Sequence, residues 1–121
     1  MPLQVKDAGN NTVTVSSLPA RSVTQVAAAQ QIKDGAGYLN AYTFYNPNNQ
    51  DIYINFYNAL DTNVTPGTTP IAYQDRVQAM GTARLNVGYL EFTTGISVGC
   101  SVNANGTTDP TTPLEWSAAY V

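Results

Sequence analysis

The sequence predicts an all-β chain: one domain spanning residues 1–121, built as a β-sandwich or jelly roll with an extended N-terminal segment or hairpin over residues 1–20. Three observations carry that reading. Apolar residues recur at every second position in several short runs, which is the spacing of a strand with one buried face. Clusters of Gly, Pro, Asn and Asp separate those runs and favour chain reversal. A length of 121 residues, with no internal repeat and no linker of altered composition, suits a single core.

The elements follow in chain order. The opening MPLQVKDAGNNTVTVSSLP is extended, with Val13 and Val15 favouring strand and Asp7 to Asn11 favouring a reversal. Ser22 to Asp34 admits two readings: Ser22 with Gln25 fits a capping box and Gly35 a helix stop, whereas the flanking β-branched residues fit a strand or extended arm. Gly35-Ala36-Gly37 has Asn40 where a dinucleotide fingerprint places its third glycine, and strand, not helix, follows it, so no nucleotide loop is expected. Ile52, Ile54 and Phe56 share one side of a strand, leaving Tyr53, Asn55 and Tyr57 on the other. Residues 58–70 form the longest expected loop, and Ala83, Leu85 and Val87 suggest a further strand. Ile96, Val98, Cys100 and Val102 alternate with small residues, which puts Cys100 in the core. Asn103 to Gly106, followed by Asp109, matches part of a calcium loop, but Glu115 lies too far on to be the last ligand, and a hairpin turn is expected. Leu114, Trp116, Ala118 and Tyr120 make the closing strand, and Phe44, Phe56, Phe92 and Trp116 are core candidates.

Composition excludes several function classes. The chain has five Lys or Arg, eight Asp or Glu and no His, for a net charge of -3. The few cations, Lys6, Arg21, Lys33, Arg76 and Arg84, are scattered, so no phosphate-binding stripe exists and nucleic-acid binding is not expected. Without His the commonest general base and metal ligand is missing, and no carboxylate pair or activated Cys is signalled, so the expectation is no enzyme, no metal and no cofactor. No apolar run is long enough to span a bilayer and the N-terminus has no signal-peptide core, so the chain is expected to be made in the cytoplasm without a membrane partner. The single Cys100 excludes an internal disulfide.

With 15 Thr, 12 Asn and 7 Gln, neutral hydrogen-bonding groups stand where ions normally solvate a surface. Tyrosine supplies large contact area at low rotamer cost and is enriched at interfaces, so Tyr53, Asn55 and Tyr57, together with N-terminal Pro2, Leu3 and Val5, are the candidate contact residues. An aromatic sugar-binding platform is the alternative use of the same residue types. With two Lys in the chain, the sheet edges look undefended against association.

The opening segment is similar to the start of many tailed-bacteriophage virion proteins. The runs AGYLNAYTFYNPNNQDIYINFYNALDTNVTPGTTP and GYLEFTTGISVGCSVNANGTTDPTTPLEWSAAYV resemble a family of small phage β-sandwich proteins. The resemblance implies a virion structural protein: a capsid decoration, or cement, protein on the outside of the assembled head, in contact with the major capsid protein and with copies of itself as a dimer or trimer. A receptor-binding or carbohydrate-binding module of a tail or fibre is the alternative it implies. It supplies no catalytic residues.

Overall fold

The computed structural model describes residues 3–6, 12–23, 29–85 and 88–121. Ten strands run in order: β1 Leu3–Lys6, β2 Thr12–Val23, β3 Gln30–Asp34, β4 Gly37–Tyr45, β5 Ile52–Tyr57, β6 Tyr73–Val77, β7 Thr82–Leu85, β8 Leu90–Phe92, β9 Gly95–Ser101 and β10 Leu114–Tyr120. The one helical element among the described residues is a short 3₁₀ turn, Asp61–Asn63. All pairings among the described residues are antiparallel. The larger sheet has the order β1-β2-β10-β4-β7, with β8 pairing the start of β4, and the smaller has the order β3-β9-β5-β6.

The ambiguity over residues 22–34 resolves toward strand wherever the chain is described. Residues 22–23 close β2 and residues 30–34 form β3. Residues 24–28, the reversal at 7–11 and Val87 lie outside the described residues, whereas Ala83 and Leu85 lie on β7 as expected. The N-terminal segment is a hairpin partner: β1 pairs with residues 12–15 of β2, and residues 16–23 of β2 continue onto β10.

One core lies between the sheets. Leu39, Tyr42 and Phe44 of β4 and Leu114, Trp116 and Ala118 of β10 meet Ile52, Ile54 and Phe56 of β5 and Ile96, Val98 and Cys100 of β9. The period-two spacing makes this possible, since each strand sends alternate side chains inward. Phe44 stacks on Trp116 with ring centroids 5.5 Å apart and planes at 6°, and meets Phe56 of the opposite sheet edge-on at 6.1 Å. Phe44, Phe56, Phe92 and Trp116 are all buried, as their alternation implies.

The sheets are also joined by polar contacts. The buried Tyr42 hydroxyl, on β4, donates to Asp75 Oδ2, on β6, at 2.5 Å. Burial, and then the hydrogen bond to the Asp75 carboxylate, push the Tyr42 phenol well above its ordinary range, so it stays protonated and keeps donating.

Two predictions follow from this packing. Phe44→Ala opens a cavity at the centre of the aromatic cluster and is expected to cost about 3–5 kcal/mol in urea unfolding. Raising the pH past the phenol's ordinary value of 10.0 ionises Tyr42 in the unfolded chain but not in the folded one. The stability it contributes is therefore full below that pH and declines above it. Unfolding measured across that range is expected to show a steeper alkaline loss for the native chain than for Tyr42→Phe.

Candidate protein interface

The smaller sheet turns one face to the core and covers the middle of the other, along β5 and β9, with its own chain, while Gln74 and Arg76 of β6 stay exposed on that side. Tyr53, Asn55 and Tyr57 do lie opposite Ile52, Ile54 and Phe56, but that side is not a free surface. Asn55 and Tyr57 are each 0% exposed, and Tyr53 is half-buried. The expectation of an exposed Tyr53, Asn55 and Tyr57 patch is corrected accordingly. Tyr57 packs with Ala29, Ala59 and Val64, and Ile71 closes over them, so the loop that follows β5 returns across the strand it came from. The segment after β9 covers the rest. An ideal Cβ on Gly67 would fall 2.5 Å from the Thr107 methyl, so the two covering loops touch there, and Gly67 at φ +83 also needs the left-handed conformation.

Asn55 ties this cover down. Its Nδ2 donates to Ser101 Oγ at 2.8 Å, and its Oδ1 accepts from Gln74 Nε2 at 2.7 Å. Gln74 Nε2 also donates to the Ala104 carbonyl, and Ser101 Oγ donates to the Asn103 carbonyl. The Asn103 to Gly106 segment is a turn, with Asn103 Oδ1 accepting from the backbone N–H groups of Thr107 and Thr108. Other asparagines act likewise. Asn46 Nδ2 donates to the carbonyls of Gln50 and Gln78, while Asn48 and the Thr112 backbone exchange two bonds of 2.9 Å. Much of the Asn content read from the sequence as contact surface is internal loop anchoring.

Among the described residues, the outer face of the larger sheet exposes side chains along β4 and β10. Tyr38, Thr43 and Tyr45 of β4 lie there, Tyr45 between Glu115 and Thr82 in register and Thr43 between Ser117 and Arg84. Of the large apolar side chains exposed among the described residues, Tyr38, Tyr45 and Tyr89 are three, the fourth being Met80. A shallow depression of about 190 Å³ runs along Thr43, Tyr45, Glu115 and Ser117. Alternation with Phe44 was the signal that could have identified Tyr45. What the sequence does not say is that this sheet, and not its partner, is left uncovered.

The candidate residues at the N-terminus are placed differently. Leu3 and Val5 sit on β1 in register with Val15 and Val13, and Pro2 lies outside the described residues.

The sheet edges are defended, contrary to expectation. The edge strands are β1, with Lys6; β3, with Lys33 and Asp34; β6, with Asp75 and Arg76; and β7 and β8, with Arg84 and Glu91. Inner strands β4, β5 and β9 carry no charge at all. Each edge strand thus carries at least one ion where it discourages edge-to-edge pairing, while Arg21 and Glu115 lie on the inner strands β2 and β10. Arg76 pairs with Asp51, whose other oxygen accepts the Ala79 N–H at 3.0 Å. The Arg76 hydrogen bond, and then that of Ala79, hold the Asp51 carboxyl below its ordinary range.

Among the described residues no group of His, Cys, Asp and Glu is placed to hold a metal. Cys100 is fully buried, and burial pushes its thiol above the ordinary range, which removes it as a nucleophile. No helix among the described residues is long and apolar enough to cross a membrane. Comparison with known proteins finds no matching family model, no matching curated sequence and no matching solved structure.

Asn55→Ala is expected to destabilise the chain by about 1–3 kcal/mol, because it leaves buried partners unmatched. Amide hydrogen exchange should rise first over residues 102–108, ahead of β4 and β10, if Asn55 anchors that loop.

Proposed function

We propose that this chain is a decoration protein of a tailed-bacteriophage head, lying on the outside of the assembled shell and tying neighbouring major capsid protein subunits together. The observation that carries the reading is the asymmetry of the two sheets. One outer face is covered along β5 and β9 by the chain's own loops, while the other presents Tyr38, Thr43, Tyr45, Ser117 and Tyr89, with Arg84, Glu91 and Glu115 among them. Such a face is rich in the residue types that interfaces favour and is too shallow along Tyr45 to enclose a small substrate.

The finer architecture belongs to the same proposal. Strands paired as β2-β10-β4-β7 facing β3-β9-β5-β6 match the strand order of an eight-stranded jelly roll made of two Greek keys, which supports a jelly-roll sandwich with an N-terminal arm. Residues 12–15 of β2 pair with β1 and not with β10, whose last partner is Ser16. Leu3 with Val15 and Val5 with Val13 place four aliphatic residues at register positions of one face of that two-stranded ribbon. Two strands alone are marginally stable in water, which supports a docking role for the arm, with Leu3 and Val5 as contact residues.

The mechanism needs no chemistry. A protein that binds the assembled lattice and not its separate subunits shifts the equilibrium toward the intact shell. Contacts of modest strength add up over a repeating lattice, more so if copies of the chain associate as dimers or trimers. Tyr45→Lys places a charge on the bare face without touching the core, and its cross-strand neighbour Glu115 carries the opposite sign. This variant is expected to weaken binding to purified capsids lacking this chain by at least about tenfold, at unchanged melting temperature. Native chain that does not sediment with such capsids would overturn the proposal.

A further inference from the structure

One left-handed position breaks the pattern of the others. Among the described residues four have a positive φ, and three of them, Gly35, Gly67 and Gly106, are glycines. The fourth is Met80, at φ 57°. In that conformation a Cβ crowds the backbone, so glycine adopts it freely and a long apolar residue is uncommon there. Met80 gains no core contact in exchange. It is 60% exposed and lies in neither apolar cluster of the described residues.

The strain persists because neighbouring groups over-determine the turn. Met80 lies between β6 and β7, and residues 46–51, between β4 and β5, clamp that segment from the side. The Met80 N–H donates to the Asn48 carbonyl at 3.0 Å, and the Gly81 N–H donates to the Gln78 carbonyl at 2.9 Å. The Asn46 N–H donates to the Gly81 carbonyl at 2.9 Å, and Asn46 Nδ2 donates to the Gln78 carbonyl at 3.1 Å. Asp51 Oδ1 accepts the Ala79 N–H at 3.0 Å. Asn46 and Asn48 are buried, so the clamp is fixed to the body of the sandwich. None of these bonds uses the Met80 side chain, and a glycine at this position would make the same ones.

A side chain that strains its own backbone and leaves its surface in water points to a use outside the chain. The corner adjoins the Tyr45 end of the larger sheet, because Gly81 bonds Asn46 and Thr82 lies in register with Tyr45. Met80 and Tyr45 are thus two exposed large apolar side chains set at one end of the sandwich. We propose that Met80 is an anchor residue that inserts into an apolar pocket of the major capsid protein, beside the Tyr45 contact. The inference rests on the shell-binding reading and adds a contact to it. Methionine suits the task, being unbranched, polarisable and able to fill a pocket of irregular shape. The clamped turn positions it before contact, so little backbone ordering remains to oppose binding.

The test compares the native chain with Met80→Gly, Met80→Asn and Met80→Leu in thermal melting, in the oligomeric state of the free chain and in sedimentation with purified capsids lacking this chain. Glycine and asparagine both suit the left-handed turn, so each variant is expected to melt no lower than the native chain while binding capsids about tenfold more weakly. Met80→Leu keeps an apolar side chain of similar size and is expected to bind within about threefold of native. Full capsid binding by Met80→Gly overturns the inference and leaves the shell-binding reading standing; if that variant also changes the oligomeric state of the free chain, the pocket belongs to a second copy. Met80→Gly melting below the native chain overturns it too, since the side chain then serves the fold. So does Met80→Leu binding as weakly as Met80→Gly. Native chain that does not sediment with the capsids overturns both readings.

Discussion

Two uncharged strands, β5 and β9, lie at the centre of the smaller sheet and are covered on both faces, and that double burial constrains the rest of the molecule. On the inner side Ile52, Ile54, Phe56, Ile96, Val98 and Cys100 face the aromatic cluster of β4 and β10. On the outer side the residues must be small, or polar with partners in reach. Ser97 donates to the Ala59 carbonyl at 2.7 Å, Gly99 lies in register with Asn55, and Asn55 and Ser101 bond each other. Buried polar groups are tolerated only when hydrogen-bonded, so each of these residues requires a loop close enough to match it. The loops after β5 and β9 are held by that requirement as much as by their apolar contacts.

The consequence is a division of labour between the sheets. The smaller one spends its outer face on holding its own connections, and the larger one keeps its outer face open. Charge is also unevenly placed: every edge strand carries an ion, and the inner strands β4, β5 and β9 carry none. A tyrosine-bearing face with charged edges presents a surface for contact while discouraging edge-to-edge aggregation. The decoration-protein proposal rests on this arrangement.

Much of the fold was legible in the sequence. The alternation of Ile96 to Val102 and of Leu114 to Tyr120 marked β9 and β10, and the inward placement of Phe44, Phe56, Phe92 and Trp116 followed from period two. The turn at Asn103 to Gly106 was legible from its residue types, and its calcium-loop alternative fell on spacing alone. Residues 22–34 were less legible, because Ser22, Gln25 and Gly35 imitate helix boundaries; pairing of residues 22–23 with β10 and of residues 30–34 with β9 outweighs that local signal. The contact surface was legible in kind but misplaced. Tyr53, Asn55 and Tyr57 have the composition of an interface, and two of them are sealed beneath loops.

By itself the sequence determined which side chains alternate, where the chain reverses, how little ionic chemistry is present, and that Cys100 has no partner for a disulfide. Those are local properties, set by backbone stereochemistry and residue type. Only the tertiary structure decided which face of which sheet meets water, that every edge strand carries an ion, and that Tyr38 meets both Tyr89 and Glu91. These depend on pairings between residues far apart in the chain, such as β4 with β10 and β5 with β9, and strand periodicity is the same whether the outward side is bare or covered by a returning loop.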